Sequence, residues 1–463
     1  MAIGVAVVAL VAVAVLGRGI LGSAPTDSAE TVERTYPTDW DPRVAPIAEW
    51  VADERDLAFL HPVEVQFQSE EDYLEQAAGD PTAIGEDAQQ EMEDMVATLR
   101  ALGLVEGDVD LAAASSDLAS EGTLAHYDAA AEVVRVRGEE LTPMIRVTLA
   151  HELTHVLQDQ HFDLERLGDP DFDEHEGLRA MAEGDAGRIE DAYAAEVLTP
   201  QERADHEADL AASIDGSETA LDGVPPVLSI IVGAPYLLGE GFLTYRRYAD
   251  GGEPWDAVLE EPPSPGELLD PSAWGTERAE VAEVEVAAPD GAEVLDEDTF
   301  DPLTWYLLLA SRGDPVAALE VVDGWGGDAY VSYREDDVVC AAMAVTGDDP
   351  ATTDAFDGAL RAWAEGDPTG SATVERRGDV VEVHACDPGS DAAATGTVTD
   401  ELLVLPYVRA ELEAGLISSG ATAADARCAS RAVLAVVDAE QLTATTVDPE
   451  LQQQVTEAVM TCV

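Results

Sequence analysis

The stretch Ala150-His151-Glu152-Leu153-Thr154-His155 constrains this chain more than any other. It reads H-E-x-x-H, and on an α-helix residues four apart share one face, so His151 and His155 can offer two imidazoles to one ion. Glu152, one residue on and about 100° round the helix, is close enough to reach a water on that ion. The flanks agree with a helix over Thr142–Phe162. Thr142 followed by Pro143 is a start signal, a capping hydroxyl before a ring that fits the first turn. Ile145, Leu149, Leu153 and Val156 form a separate apolar stripe that can pack into a core. The metal face and the core face do not compete for the same residues.

The acidity of the rest sets the background for any carboxylate in the site. The chain has 96 acidic and 23 basic residues, a net charge of −73 and no lysine. Acid spread through every segment reads as a surface built for high salt, where self-repulsion is screened. It excludes nucleic acid and anionic membrane surfaces as partners. For most single Asp or Glu residues a solvated coat is the ordinary reading.

With 463 residues there is room for two or three domains. The apolar run Ala2–Leu16, followed by Arg18, predicts a signal peptide or short membrane anchor over 1–23, with 24–44 a polar tether. Export to an extracellular or cell-surface location follows. Four cysteines fit that compartment and predict two disulfides, Cys340–Cys386 and Cys428–Cys462. None is near the histidines, so no thiolate ligand is expected.

Periodicity predicts an α+β fold. Helices are expected over Ala45–Leu60, Gly85–Gly103, Asp173–Leu198 and Pro225–Tyr248, and a strand over His61–Phe67. Thr123–Tyr127 and Val133–Arg137 read as a strand pair just before the motif helix, with an edge suited to an extended peptide. The break at Glu261–Pro265 leads to a domain boundary at 275/276. A companion α+β domain over 276–390 opens with strand-like Val281–Val286 and a helix Trp305–Val322. Gly324-Trp325-Gly326-Gly327-Asp328 then turns the chain into strands around a helix Ala351–Trp363. Residues 398–463 read as a helical C-terminal region.

A catalytic zinc wants three protein ligands and an open position. His161 is where the third histidine of H-E-x-x-H-x-x-G-x-x-H would stand, but the glycine position is Gln158, and in a continuing helix His161 points away. The other candidate is Glu183 in Met181-Ala182-Glu183-Gly184-Asp185-Ala186. Small neighbours there would let a second helix approach the first, although Glu174, Glu176 and Glu190 are also available. Glu176, Glu183 and Glu190 share one face at a spacing of seven.

These two motifs, Ala150–Phe162 and Glu183–Ala186, resemble those of gluzincin-like metallopeptidases of prokaryotes, including haloarchaeal surface proteins. Ala125-His126-Tyr127-Asp128, Ala234-Pro235-Tyr236 with Gly239, and Gly324–Asp328 are similar too, so the resemblance spans roughly Asp53 to Trp363. It implies a zincin-like domain over 45–275, with His151, His155 and Glu183 as zinc ligands and Glu152 as general base. Asp185 would support the site. Asp270 departs from it, standing where a histidine is expected.

The parts imply hydrolysis of a peptide or protein substrate. Zinc would acidify a water and polarise the scissile carbonyl, Glu152 would carry its proton to the leaving amine, and Tyr236 is the candidate oxyanion donor. The alternative is a surface or binding protein of the envelope that keeps the fold with little or no turnover.

Overall fold

The computed structural model describes residues 35–73, 86–114, 124–168, 174–220, 223–276, 281–367, 369–392, 401–437 and 449–462, with a few isolated positions between them. The segment 1–23 and the start of the tether, 24–34, lie outside the described residues. The fold is mixed α+β with two small sheets.

The first half is built around the motif helix. Helix α1 (Ala45–Arg55), strand β1 (Glu64–Gln68), helix α2 (Glu86–Ala101), strands β2 (Ala125–Asp128) and β3 (Val133–Arg137), and the motif helix α3 (Pro143–Phe162) follow in order. Helix α3 starts as its sequence dictates: Thr142 is extended, and its hydroxyl accepts from Ile145 N at 3.2 Å before Pro143. The sheet is mixed, ordered β1-β3-β2, with β1 parallel and β2 antiparallel to the central strand. Val134 and Val136 of β3, Ile47 and Val51 of α1, and the stripe Ile145, Leu149, Leu153, Val156 form one core. The stripe does what its spacing predicts.

Helices α4 (His175–Glu196), α5 (Pro200–Ala220) and α6 (Pro226–Asp250) come next, then short α7 (Trp255–Glu260) and α8 (Pro265–Leu269). No helix was expected over α5. Helix α6 is long and apolar enough to cross a membrane by length and composition, but most of its apolar length is buried inside the fold. It is packed against α4 at glycines: a Cβ on Gly239 would lie 2.0 Å from Ala180 O, and one on Gly184 2.6 Å from Gly239 C. No residue with a side chain fits at either place.

The second half is a five-stranded antiparallel sheet, ordered β4-β5-β6-β8-β7. Its strands are β4 (Glu293–Asp298), β5 (Trp325–Glu335), β6 (Val338–Gly347), β7 (Ala372–Arg377) and β8 (Val380–Cys386). Helices α9 (Pro302–Arg312), α10 (Pro315–Val322) and α11 (Pro350–Glu365) accompany it. Helices α12 (Glu401–Ser418), α13 (Ala423–Leu434) and α14 (Pro449–Val459) complete the chain. A single apolar cluster joins Leu178, Met181 and Phe242 of the first half to Trp305, Phe356 and Trp363 of the second, so the core runs on across the boundary read at 275/276. Both expected disulfides are present: Cys340 and Cys386 face each other across β6 and β8, and Cys428–Cys462 ties the last turn of the chain to α13. Two disulfides point to an oxidising compartment.

Two expected elements differ. Val281–Val286 is not a strand: Val286, Ala288 and Ala292 pack over a sheet face on Val331, Tyr333 and Ala342, while β4 takes the edge. Trp305–Val322 is two helices, because Asp314 caps a new one at Pro315, whose ring cannot continue the first.

The Gly324–Asp328 motif is a brace. Gly327, at φ 144° and with Ala282 O 2.4 Å from any added Cβ, lets the segment cross β5. Asp328 Oδ2 then accepts from Trp305 Nε1 at 2.9 Å and Trp325 Nε1 at 2.7 Å, while Oδ1 accepts from Phe300 N at 2.7 Å. Burial pushes this carboxyl up to about 6 against the pull of its three donors. Asp328→Ala leaves three donors, one buried and two half-buried, without an acceptor and is expected to lower unfolding free energy by about 3 kcal/mol. The folded pKa lies above the ordinary 3.8, so the group's contribution is complete below that value and is lost as pH rises through about 6. Denaturant titrations should therefore show the gap between wild type and variant narrowing from about pH 4 to about pH 7.

Candidate metal centre

Helix α3 presents His151 and His155 from one face, and α4 runs alongside to present Glu183. His151 Nε2 and His155 Nε2 are 3.1 Å apart, and Glu183 Oε2 lies 3.3 Å from the first and 3.4 Å from the second. His151 is 1% exposed, and Glu183 Oε2 is buried with no hydrogen-bond donor of its own. These three ligand atoms form a cluster that can hold a metal ion.

The outer nitrogens fix which ring atoms face inward. His151 Nδ1 lies 3.1 Å from Glu190 Oε2, an acceptor, so Nδ1 carries the proton. His155 Nδ1 lies 2.9 Å from Gln158 Oε1, while Gln158 Nε2 donates to Ala182 O and to Asp185 Oδ2, both at 3.1 Å. The amide is thereby oriented, and His155 Nδ1 must be the donor. Both Nε2 atoms are left with lone pairs aimed at one point. Second partners of this kind set the ring orientation of metal-binding histidines.

Charges around the cluster are arranged for a cation. Burial by itself lowers the basicity of His151 and His155, but contacts with Glu183, and with Glu190 for His151, outweigh it, and both are raised. Burial by itself raises Glu183, yet the two imidazoles hold it well below the usual carboxylate range.

The support reaches further. Asp185 is fully buried, ion-pairs with Arg55 Nε of α1 at 2.9 Å, and accepts from Arg188 at 3.2 Å in addition to Gln158. A connected path thus runs Arg55–Asp185–Gln158–His155 across three helices. Asp185 was anticipated as a supporting residue; Gln158 and Arg55 were not. A glutamine buried on a helix at the turn after the motif, and an arginine closing α1, are the only sequence hints.

Glu152 sits beside the cluster. Its Oε2 accepts from Tyr127 N of β2 at 2.7 Å, and burial raises its pKa. The ring of Tyr236 stacks on His151 at 6.5 Å between centroids; burial first, then the charge of Glu183, raises its pKa. His161 is not brought to the cluster. Helix α3 continues to Phe162, and His161 Nε2 reaches Ala58 O at 2.8 Å instead. Asp270 is also elsewhere: its Oδ1 caps Ser272 and its Oδ2 pairs with Arg427. Glu176 does not join the cluster, whereas Glu190 supports it from behind.

No model of a known protein family matches this chain, and no match is found among curated proteins or solved structures.

Gln158→Leu keeps the volume of a buried side chain but removes the acceptor for His155 Nδ1. Titration with a divalent metal is expected to show affinity lowered about 10–100-fold while the helical signal is retained. Unchanged affinity would mean that the Gln158 amide does not orient His155.

Proposed function

We propose that the cluster is a zinc site and that the chain is an exported zinc metallopeptidase of the gluzincin-like, zincin-fold kind, acting on peptides or proteins. One observation carries this reading. Tetrahedral zinc with bonds of about 2.0–2.1 Å sets its ligand atoms about 3.3–3.4 Å apart, and the three ligand atoms here are separated by 3.1, 3.3 and 3.4 Å. Two imidazoles and one carboxylate are a donor set of the catalytic rather than the closed structural type.

His151, His155 and Glu183 would hold the ion, which when bound supplies a Lewis acid that acidifies water and polarises a carbonyl. Glu152 has one oxygen pinned by Tyr127 N, which fixes the plane of its carboxylate beside the cluster. Its other oxygen takes the proton of the attacking water and delivers it to the leaving amine. Tyr236, held over His151 and against Glu183, offers its hydroxyl to the developing oxyanion. The surface charge fits a high-salt exterior, and the disulfides fit export. Neither nucleic acid nor anionic lipid suits such a surface.

Two variants separate binding from chemistry. Glu183→Ala is expected to lose zinc, because two histidines alone remain. Glu152→Gln is expected to keep zinc and fold while peptidase activity falls by about 10²–10⁴-fold. Metal analysis and a peptide-library assay in high salt, with and without chelator, read both. A wild type that holds zinc yet cleaves nothing would favour the alternative, a binding protein on the same fold; Glu183→Ala retaining full zinc would remove the site itself.

A further inference from the structure

Arg179 stands on α4 four residues before Glu183, on the same helix face and about 6 Å along the axis. The contact of Gly239 with Ala180 brings α6 against this turn, and Tyr236 is one turn before Gly239 on α6. Arg179 is half-buried there, and its charge is felt at the Tyr236 hydroxyl. Its position is therefore beside the cluster, on the side that carries Tyr236.

What sets Arg179 apart is that it is uncommitted. Around the same helices Arg55 and Arg188 are taken by Asp185, Arg146 by Glu202 and Arg135 by Asp128. Among the described residues Arg179 forms no ion pair and no hydrogen bond. Other half-buried arginines that lack a carboxylate, Arg166, Arg203 and Arg312, donate to backbone carbonyls instead, so a half-buried guanidinium with neither kind of acceptor is the exception among the described residues. A guanidinium fork matches a carboxylate bidentately. The partner missing among the described residues can be supplied by a substrate.

We propose that Arg179 binds the C-terminal carboxylate of a peptide substrate, so that the enzyme releases one amino acid or a dipeptide from the end of the chain. This rests on the metallopeptidase reading above. The length follows from spacing: an extended peptide advances about 3.3–3.6 Å per residue, so a carboxylate one or two residues past the scissile bond spans the offset between Glu183 and Arg179. A longer leaving segment would carry its carboxylate beyond the reach of this side chain.

The test uses the full chain loaded with zinc and one peptide sequence with either a free or an amidated C-terminus. Wild type is expected to favour the free acid by at least about tenfold in kcat/KM, with single residues or dipeptides as products by mass spectrometry. In Arg179→Gln the ratio should fall to within about twofold of one, and Arg179→Lys should recover part of it, because an ammonium keeps the charge without the fork. Zinc content, measured for each variant, separates this loss from a damaged site. A wild-type ratio near one, or a ratio that persists in Arg179→Gln, overturns the proposal. So does an equal, Arg179-dependent preference for an amidated peptide with an acidic side chain near its end, which assigns the anion to a side chain. The same free-acid and amide peptides are also bound to zinc-loaded Glu152→Gln protein and to its Arg179→Gln double variant, by fluorescence anisotropy. An Arg179-dependent binding preference without any turnover in wild type would overturn the peptidase reading and leave the carboxylate site standing.

Discussion

The candidate centre depends on how closely α4 can lie against its neighbours. Helices usually pack with axes about 8–10 Å apart, set by the side chains between them. Here Gly184 and Gly239 meet backbone to backbone, and Gly177 sits where a Cβ would fall 1.8 Å from Pro263 O. These contacts seat α4 firmly, and a carboxylate as short as that of Glu183 then reaches the imidazoles of α3. The same contacts carry Tyr236 to the edge of the cluster. Three small residues thus position the third candidate ligand as surely as the histidine spacing positions the first two.

A second constraint locks the arrangement in rotation. Asp185 is a fully buried carboxylate whose ion-pair and hydrogen-bond partners come from α1, α3 and from α4 itself. Removing one member of a buried charged network leaves an uncompensated charge, a loss of about 3–5 kcal/mol. Rotation of any of the three helices is opposed by that penalty. Gln158 converts the same constraint into a choice of tautomer at His155. The site is therefore built on rigid elements and supported from behind, the condition under which a metal constellation keeps its geometry.

Much of this was legible from residue types at fixed spacing. His151 and His155 announce themselves by four-residue periodicity, the helix by Thr142-Pro143, and the disulfides by two cysteines in strand-like runs and two bracketing the tail. Glu183 was singled out from Glu176 and Glu190 by small neighbours expected to let its helix approach α3, but Ala180 and Gly184 of that set meet α6 at Gly239 instead. Arg55 and Gln158 were not legible, because their roles arise from a meeting of α1, α3 and α4 that no local pattern encodes. Val281–Val286 misled for a related reason: alternation marks one apolar face, but whether that face pairs at an edge or lies flat over a sheet is a tertiary outcome. Asp270 carried weight as a departure from a resemblance, and its bonds to Ser272 and Arg427 give it a capping and bridging role instead.

The sheet edge needs a finer account than its sequence suggested. Arg137 N donates to Leu124 O, so in the alternating pattern of an antiparallel pair Leu124, His126 and Asp128 turn their backbone polar groups toward β3. Ala125 and Tyr127 turn theirs outward, at the edge where an extended peptide would add. Of these outward groups the N–H of Tyr127 is already engaged by Glu152. The bond that orients the Glu152 carboxylate therefore shortens the ladder that an added strand would meet. With so few backbone partners on a strand only four residues long, a peptide cannot be held by strand addition alone. On the peptidase reading proposed above, a bound peptide would have to be gripped at another point, and the fold offers a charged side chain near the cluster rather than a longer strand.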